Sequence, residues 1–274
     1  MAREGMKIAA TAAAFIALAA PAFAADLGDA STKDTPSAAD KLSWTINAGV
    51  TSDYIFRGTS QNGRNPTAQG GLDISYGIFY AGTFFSGVKF GAESAVASAD
   101  VEVDAYAGVK PKWGDFTFDF GIITYNYLNT HISHFNGKFD PSYQEIKAGA
   151  SVTILNDLAL SGTVYYSWDY FGETGGATTI EGTASKPIAK IADVDLAASG
   201  TVGHTFYSDS FAHSGTGFRA PNFEYTYGNV GLTATYKAVS LDVRWWDTDL
   251  PTAGCGISVF QCGSAVSATF KVTY

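Results

Sequence analysis

Apolar and polar residues alternate along most of the chain after residue 41. In residues 42–57 the even positions are mostly apolar and the odd positions mostly polar or small, as in Trp44 and Ile46 against Thr45 and Asn47. Successive side chains of a β-strand point to opposite faces, so this run predicts a strand with one apolar face. Soluble strands typically have about 5–6 residues, and this run is much longer. A tilted strand that crosses a bilayer needs about 9–11 residues.

The same alternation recurs along the rest of the chain, and no stretch after residue 41 has a helical period. Short turns are predicted after the even-numbered strands and longer connections after most odd-numbered ones, which is typical of outer-membrane barrels. A soluble β-sandwich would instead have shorter strands and no such alternation of loop lengths. The predicted strands cover residues 42–57, 67–76, 78–87, 100–110, 115–125, 142–155, 158–170, 177–185, 194–207, 223–236, 239–247 and 264–274.

The predicted fold is therefore all-β, over residues 42–274. We expect a transmembrane antiparallel up-and-down β-barrel, most simply of twelve strands and within a range of about 10–14, because bacterial barrels of this kind have even strand numbers. An even number places both ends of the barrel on the periplasmic side. The five tryptophans and many tyrosines are predicted to form aromatic girdles at the two membrane interfaces.

The first 24 residues have the features of a secretory signal peptide. Arg3 and Lys7 give a basic start, residues 8–20 are apolar, and residues 22–24 form an Ala-x-Ala cleavage site. An uncleaved anchor is the alternative, but the apolar core is shorter than the ~20 residues of a spanning helix. Residues 25–41 are rich in small and polar residues and are predicted to form a mobile N-terminal segment. Export and a barrel together place the protein in the cell outer membrane.

Composition narrows the functional classes. The formal net charge is −9, which argues against a nucleic-acid partner because that requires a basic surface. The hydrophobic content of 46% is ordinary for a soluble protein. A membrane barrel can have the same content, because half of its strand residues face the lumen and are polar. The sequence predicts no cofactor and no catalytic residue.

The few cysteines and histidines suggest a disulfide more than a metal site. Cys255 and Cys262 are the only cysteines, and in an exported chain they are expected to close a small loop by a disulfide bond. A metal site there would need further ligands, and no histidine lies near. His131 and His134 also lack a cysteine or carboxylate cluster beside them. No metal site is therefore predicted.

The strand parity assigns charged side chains to the lumen. A base that faces lipid at the bilayer midplane costs about 2–4 kcal/mol and an acid somewhat less, so the polar faces must point inward. Acids outnumber bases among the inward positions. The predicted pore-lining residues are Asp53, Arg57, Asp73, Glu102, Asp104, Asp119, Glu145, Lys147, Asp169, Glu181, Asp195, Asp242, Arg244 and Lys271.

Two consequences of this acidic lumen stay open. Carboxylates lining a water-filled path lower the energy of a passing cation, which predicts a channel that prefers cations. The same charges could instead pair across a narrow lumen and close it, because a barrel of this size falls between packed 8-stranded barrels and open 16-stranded porins. The first interpretation gives a porin for small hydrophilic solutes. The second gives a non-conducting barrel for adhesion or envelope integrity, with residues 126–141 and 255–262 as its working surface.

The end of the chain carries an aromatic strand. Phe270, Val272 and Tyr274 stand at two-residue steps, and Tyr274 is the last residue. A terminal aromatic strand resembles the membrane-insertion signal that the barrel-assembly machinery of Gram-negative bacteria reads. The expected partners are thus this machinery, outer-membrane lipid and small hydrophilic solutes or ions. A monomer and a homo-oligomer are both compatible with the sequence.

One segment carries a family resemblance. The sequence VTSDYIFRGTSQ at 50–61, NPTAQGGLD at 65–73, GIFYAG at 77–82 and WWDTD at 245–249 resembles the TorF family of proteobacterial proteins, which are labelled porins at the level of the fold. The resemblance implies an outer-membrane barrel and little chemistry. It places residues 50–57 in the upper half of the first strand and 58–65 in the first outer loop. Asp53, Arg57 and Asp73 are then expected to point inward together near the outer mouth.

An enzymatic function is the remote alternative. Some barrels act on lipids through a His/Ser pair on the lipid face, and His204 and Ser208 share the outward parity of one strand. Nucleophilic catalysis also needs a group that orients the base, and no third residue is evident. The protein is therefore predicted not to be an enzyme.

Overall fold

The computed structural model describes residues 41–89, 97–132, 140–172, 175–207, 224–250 and 262–274. The predicted signal peptide and nearly all of the predicted N-terminal segment lie outside this part of the chain. Twelve long strands make up the described structure: β1 (Ser43–Thr51), β2 (Thr67–Tyr76), β3 (Phe79–Gly87), β4 (Val101–Val109), β5 (Phe116–Leu128), β6 (Tyr143–Ile154), β7 (Leu158–Ser167), β8 (Ala177–Ile191), β9 (Val194–Tyr207), β10 (Tyr225–Tyr236), β11 (Val239–Thr248) and β12 (Ala265–Thr273). No helix among the described residues has the length and apolarity needed to span a bilayer.

The twelve strands form a closed antiparallel barrel. Each strand pairs with its neighbours in sequence, and β1 pairs with both β2 and β12, so that Ala48 lies opposite Gly70 on one side and Val272 on the other. At the seam, Tyr274 and Ile46 exchange backbone hydrogen bonds of 2.8 and 3.0 Å. Closure pairs the backbone groups of every strand, which is what a spanning sheet requires in lipid. The predicted fold and strand number are confirmed.

The connections alternate in length as predicted. Those after the even-numbered strands have two to six residues, and those after the odd-numbered strands have nine to seventeen. The connection after β4 includes the two-residue segment Lys112–Trp113, which pairs with the start of β5. We call the end of the barrel with short connections the turn end and the other the loop end. Both termini of the barrel lie at the turn end.

The outer wall is apolar and the inner wall polar. The side chains that alternate outward, such as Ile46, Val230 and Leu232, are exposed, whereas inward charges such as Glu102 are buried. An exposed apolar face around a closed barrel is the surface that a lipid bilayer covers. Trp246 departs from the predicted girdles, because it faces inward, is buried and donates a hydrogen bond to Ser267 Oγ at 3.1 Å.

The strand bounds differ from the predicted ones by three residues or more at four places, of which one is the end of β7 at Ser167 instead of residue 170. β5 extends to Leu128, and β8 extends to Ile191 with a register shift between Pro187 and Ala189, because proline cannot donate the ladder hydrogen bond. The largest difference is that β1 ends at Thr51. Residues 52–66, which we call the plug, then leave the wall and fold into the interior of the barrel.

Candidate functional site

The plug begins as a small hairpin. Ile55–Phe56 pairs with Thr59–Ser60, and the two residues of the turn, Arg57 and Gly58, have φ values of 46° and 77°. Two consecutive positive φ angles are the requirement of a type I′ hairpin turn, in which glycine fits readily. The Gln61 N–H donates to the Tyr54 carbonyl at 2.7 Å and closes the hairpin.

The base of the plug is held by Asp53. Its Oδ1 accepts a hydrogen bond from Ser60 Oγ at 2.5 Å, and its Oδ2 lies 4.0 Å from the Nε of Arg64. Burial raises the pKa of Asp53, while the hydrogen bond from Ser60 and the charge of Arg64 act in the opposite direction. These contacts bring the two ends of the plug together, so the segment enters and leaves the wall at neighbouring points.

Arg57 joins the tip of the plug to the wall. Its two terminal nitrogens donate to the Glu145 carboxylate of β6 at 2.7 and 2.9 Å, and the guanidinium lies 4.9 Å from the centre of the Tyr165 ring of β7. Tyr125 of β5 donates a further hydrogen bond to Glu145 Oε2 at 3.1 Å. Arg57 and Glu145 are only 2% and 1% exposed. A planar, bidentate and fully buried pair of this kind fixes the position of the tip.

Other contacts of the plug reach the remaining sides of the lumen. The Tyr54 hydroxyl donates to Glu102 Oε1 of β4 at 2.5 Å, and Ile55 packs with Trp246 and Ala265 of β11 and β12. Arg64 donates to the carbonyls of residues 262 and 263 at 2.8 and 3.3 Å. The plug therefore crosses the lumen and contacts both of its sides.

Burial divides the lumen into two halves. Inward side chains of the loop half are buried, including Thr51, Gln69, Ser86, Glu102, Glu145, Tyr165, Thr179, Thr205, Tyr227, Arg244 and Ser267. Most inward side chains of the turn half are only partly buried, although Tyr80 beside the turn between β2 and β3 is buried. The partly buried ones include Thr45, Asn47, Asp73, Asp119, Ser151, Thr163, Thr183, Ser199, Thr235 and Lys271. Among the described residues, the barrel thus combines a closed level around the plug with a polar chamber that is accessible from the turn end.

Most of the charges predicted to line a pore are bound to neighbours. Lys147 lies 2.7 Å from Asp119, which also accepts from the Tyr80 hydroxyl at 2.7 Å. A second group stands on the far wall, where Arg244 contacts Asp242 at 3.0 Å and Asn229 at 2.7 Å.

The other predicted residues have separate environments. Glu181 accepts a hydrogen bond from Tyr227, and Asp195 pairs with Lys190 at 2.8 Å near the turn end. Asp73 accepts a hydrogen bond from Tyr106 in the turn half. Lys271 is partly buried in the same half.

Three predicted placements are wrong. Asp53 and Arg57 do not stand on the first strand, because the chain turns inward after Thr51. Asp73 does not meet them near the outer mouth, since it pairs in register with Thr45 and Gly82 towards the turn end. Asp169 is not on a strand either: it is exposed in the connection after β7, where it accepts a hydrogen bond from the Gly175 N–H at 3.2 Å.

The structure also buries residues that parity had assigned to lipid or had not singled out. Tyr54 and Phe56 lie inside the barrel in a cluster with Tyr125, Tyr143 and Tyr170. A sequence signal for part of this cluster exists, since Tyr125 and Tyr127 have inward parity on β5, and large aromatic residues at inward positions indicate a filled interior. The remainder of the cluster depends on the plug.

Several predicted features lie partly or wholly outside the described residues. Cys255 lies outside them, so the disulfide with the buried Cys262 stays a prediction. Ser208 and His134 also lie outside, while His204 Nδ1 is 3.0 Å from the Thr226 hydroxyl. In the described part of the chain, no three His, Cys, Asp or Glu residues are grouped so as to hold a metal.

The proposed insertion signal has an accessible position. Phe270 and Tyr274 are exposed on the last strand, and Val272 is partly buried. Its role in assembly stays a prediction.

The close approach of Gly58 to the wall leads to a stability prediction. A Cβ atom at Gly58 would lie 2.8 Å from the Tyr227 Cβ and 2.9 Å from the Thr248 Cβ, and the φ of 77° is unfavourable for alanine. We expect Gly58→Ala to destabilise the closed plug by roughly 2–4 kcal/mol, by combining overpacking with backbone strain. Thermal denaturation in detergent, with limited proteolysis of the plug, measures the effect.

Gly63→Ala is the matched control. Gly63 also has a positive φ, of 59°, but the nearest atom to its added Cβ would be the Asn65 Nδ2 at 3.6 Å. It should show the strain alone, so equal effects at the two glycines would contradict the close packing of Gly58.

Comparison with known proteins identifies a family. A family model described as a bacterial protein of unknown function matches residues 35–273. No curated protein sequence matches the chain. Among solved structures, the NanC porin is similar at 11% identity and a TM-score of 0.47, over 85% of this chain and 99% of that one.

Two further solved barrels have a comparable degree of similarity. LpxR from Salmonella typhimurium has 9% identity and a TM-score of 0.46, over 84% of this chain and 99% of its own. The translocator domain of the autotransporter NalP from Neisseria meningitidis has 13% identity and a TM-score of 0.43, over 85% and 86%. Because one architecture hosts many functions, the site must supply the function.

Proposed function

Since the chain belongs to Gcw_chp, a family of bacterial proteins of unknown function, we propose from its own site that it is a gated porin-like channel of the outer membrane. It passes small hydrophilic solutes and prefers cations, and the plug closes it at rest. Export by a cleaved signal peptide and insertion by the barrel-assembly machinery belong to the same proposal. The resemblance to TorF-family porins is compatible with it.

The observation that carries the proposal is the division of the lumen at the plug. A polar chamber opens to the turn end, and one continuous segment separates it from the loop end. The two ends of that segment meet at the wall, through Asp53, Ser60 and Arg64. The tip can therefore move out of the lumen while the circle of paired strands stays intact. Small movements of a hinged loop are a common way to gate access to a site.

The cation preference rests on the distribution of charge around this path. Carboxylates around the plug and in the chamber outnumber the bases, and Arg57, Lys147 and Arg244 are each paired with one of them. The remaining acids include Glu102 and Asp104, which take no part in the ion pairs between described residues. Unneutralised carboxylates lower the energy of a cation in a pore.

Planar-bilayer recording of the purified protein tests the channel. We expect infrequent, small conductance steps, because the plug is held by a buried ion pair. A salt gradient should give a reversal potential that favours the cation. The absence of any step at every voltage, for a correctly folded barrel, would sink the proposal, and an anion-selective potential would remove its second part.

A second candidate is supported by the completeness of the packing. The plug is buried against both sides of the lumen, as a purely structural barrel would also need. This barrel would serve adhesion or envelope integrity through its outer loops. Its signature is a protein that does not conduct, combined with a binding or envelope defect when the loop residues 129–142 are shortened. We propose no enzymatic role for either candidate.

A further inference from the structure

Two neighbouring carboxyl groups lie next to the plug without compensation. Glu102 and Asp104 are two residues apart on the inward face of β4, and each is 1% exposed. The Asp104 carboxyl lies within hydrogen-bonding reach of the Glu102 carboxyl, and neither of its oxygens accepts a hydrogen bond from an N–H or O–H donor among the described residues. Glu102 accepts the hydrogen bond from Tyr54 of the plug.

Among the described residues, the groups around this pair do not neutralise it. β5 contributes Tyr127 and β6 contributes Glu145, whose charge adds to the repulsion. From the plug come Tyr54 and Arg57, but Arg57 gives both terminal nitrogens to Glu145. Tyr106, on β4 itself, donates to Asp73 in the turn half. In the described part of the chain, the pair is therefore surrounded by neutral hydroxyls and a third carboxylate, and the guanidinium of the plug is bound to that third carboxylate.

Two buried carboxylates in this position cannot both be ionised without a counter-charge. Bringing one unpaired charge out of water is already costly, and a buried group normally neutralises instead. Two carboxyl groups that share a site solve the problem by sharing one proton, since like charges in contact disfavour the doubly ionised form. Among the described residues, the pair does not belong to a group of three or more His, Cys, Asp or Glu side chains that could hold a metal ion.

We propose that Glu102 and Asp104 form a proton-binding site that holds one shared proton while the plug is closed, and that release of this proton opens the plug. The opening half of this statement rests on the proposed channel function. When the plug moves away with Tyr54, water reaches both carboxyl groups and each ionises as an ordinary exposed acid. The closed barrel thus binds one proton more than the open one, and the proton released on opening passes to solvent.

The sign of the pH effect follows by linkage. A state that binds more protons is favoured as pH falls and disfavoured as pH rises. Alkaline pH should therefore favour the open channel and acidic pH the closed one. With one linked proton, the ratio of open to closed channels rises by up to tenfold for each pH unit, over the interval in which only the closed form stays protonated.

Infrared spectroscopy tests directly whether the pair holds a proton. The carbonyl stretch of a protonated carboxylic acid is distinct from the bands of a carboxylate, so purified barrels titrated from mildly acidic to mildly alkaline pH report the pair. We expect the wild type to retain such a band at neutral pH and to lose it at alkaline pH. Asp104→Asn and Glu102→Gln should each remove it. Asp115→Asn, at an exposed turn residue, is the control and should keep it.

Conductance at the same pH values tests the coupling. The wild type should conduct more as pH rises. Asp104→Asn keeps the shape of the side chain but removes its charge, so this variant should lose the pH dependence. A wild type without the band at neutral pH, or with a band that both variants retain, overturns the proton site. Conductance that rises equally in Asp104→Asn overturns the coupling. The expected bands without conductance at any pH uphold the proton site and refute the channel function instead.

Discussion

Removing the tip of the plug should convert the barrel into a permanently open, wide channel. Residues 54–63 can be replaced by a short Gly/Ser linker, because Thr51 and Thr67, which flank the plug, are paired neighbours in the wall. The deletion removes Tyr54, Ile55 and Arg57 from the level at which the lumen is closed. The strands should retain their ladder hydrogen bonds, because the strand pairing of residues 54–63 is confined to Ile55–Phe56 with Thr59–Ser60. Ser52, whose N–H donates to the Ala268 carbonyl of β12 at 2.9 Å, stays in place.

We expect conductance in planar bilayers to increase several-fold and to lose its infrequent gating, because a twelve-stranded barrel without a plug encloses more space than its wall side chains fill. Swelling of liposomes in small sugars should become rapid for the same reason. Heat-modifiable electrophoretic mobility serves as the folding control. A folded deletion variant with wild-type conductance would show that the plug does not close the path.

Breaking the buried ion pair should have the second largest effect. In Glu145→Gln the guanidinium of Arg57 remains buried, with 2% exposure, and loses its counter-charge. Removing one partner of a buried pair costs about 3–5 kcal/mol, because the other charge is left uncompensated. The plug can relieve this cost by opening, which exposes Arg57 to water. The ratio of open to closed channels should then increase by roughly a hundredfold to several thousandfold, at about 1.4 kcal/mol for each tenfold.

Single-channel open probability measures this shift, and two further variants make it specific. The double variant Arg57→Met, Glu145→Leu replaces both charges by apolar groups of similar volume and should restore the closed state. Asp195→Asn breaks the pair with Lys190, whose side chain is half exposed, and should change stability by less than about 1 kcal/mol. An open probability unchanged in Glu145→Gln, or equally increased in the double variant, would contradict the role of this pair as the latch.

The sequence was informative about the barrel because its signals are local. Alternation with a period of two identifies a strand from its own residues, so the number of strands, their outward apolar faces and the alternation of short and long connections could all be predicted. The inward positions of Glu102, Glu145 and Arg244 followed from the same parity. The predicted length of β8 was too short because Pro187 and a register shift interrupt the alternation there.

The plug could not be predicted in this way, for a physical reason. Residues 52–57 alternate like a spanning strand, but Tyr54 and Phe56 bury themselves in the lumen, and parity does not distinguish a lipid environment from a packed interior. The inward turn depends on the positive φ values of Arg57 and Gly58, and Arg57 meets Glu145, 88 residues away along the chain, only when the barrel has closed. The sequence by itself determined the wall of the barrel. Contacts with distant strands decided that residues 52–66 form a plug, because only closure of the barrel brings those strands around them.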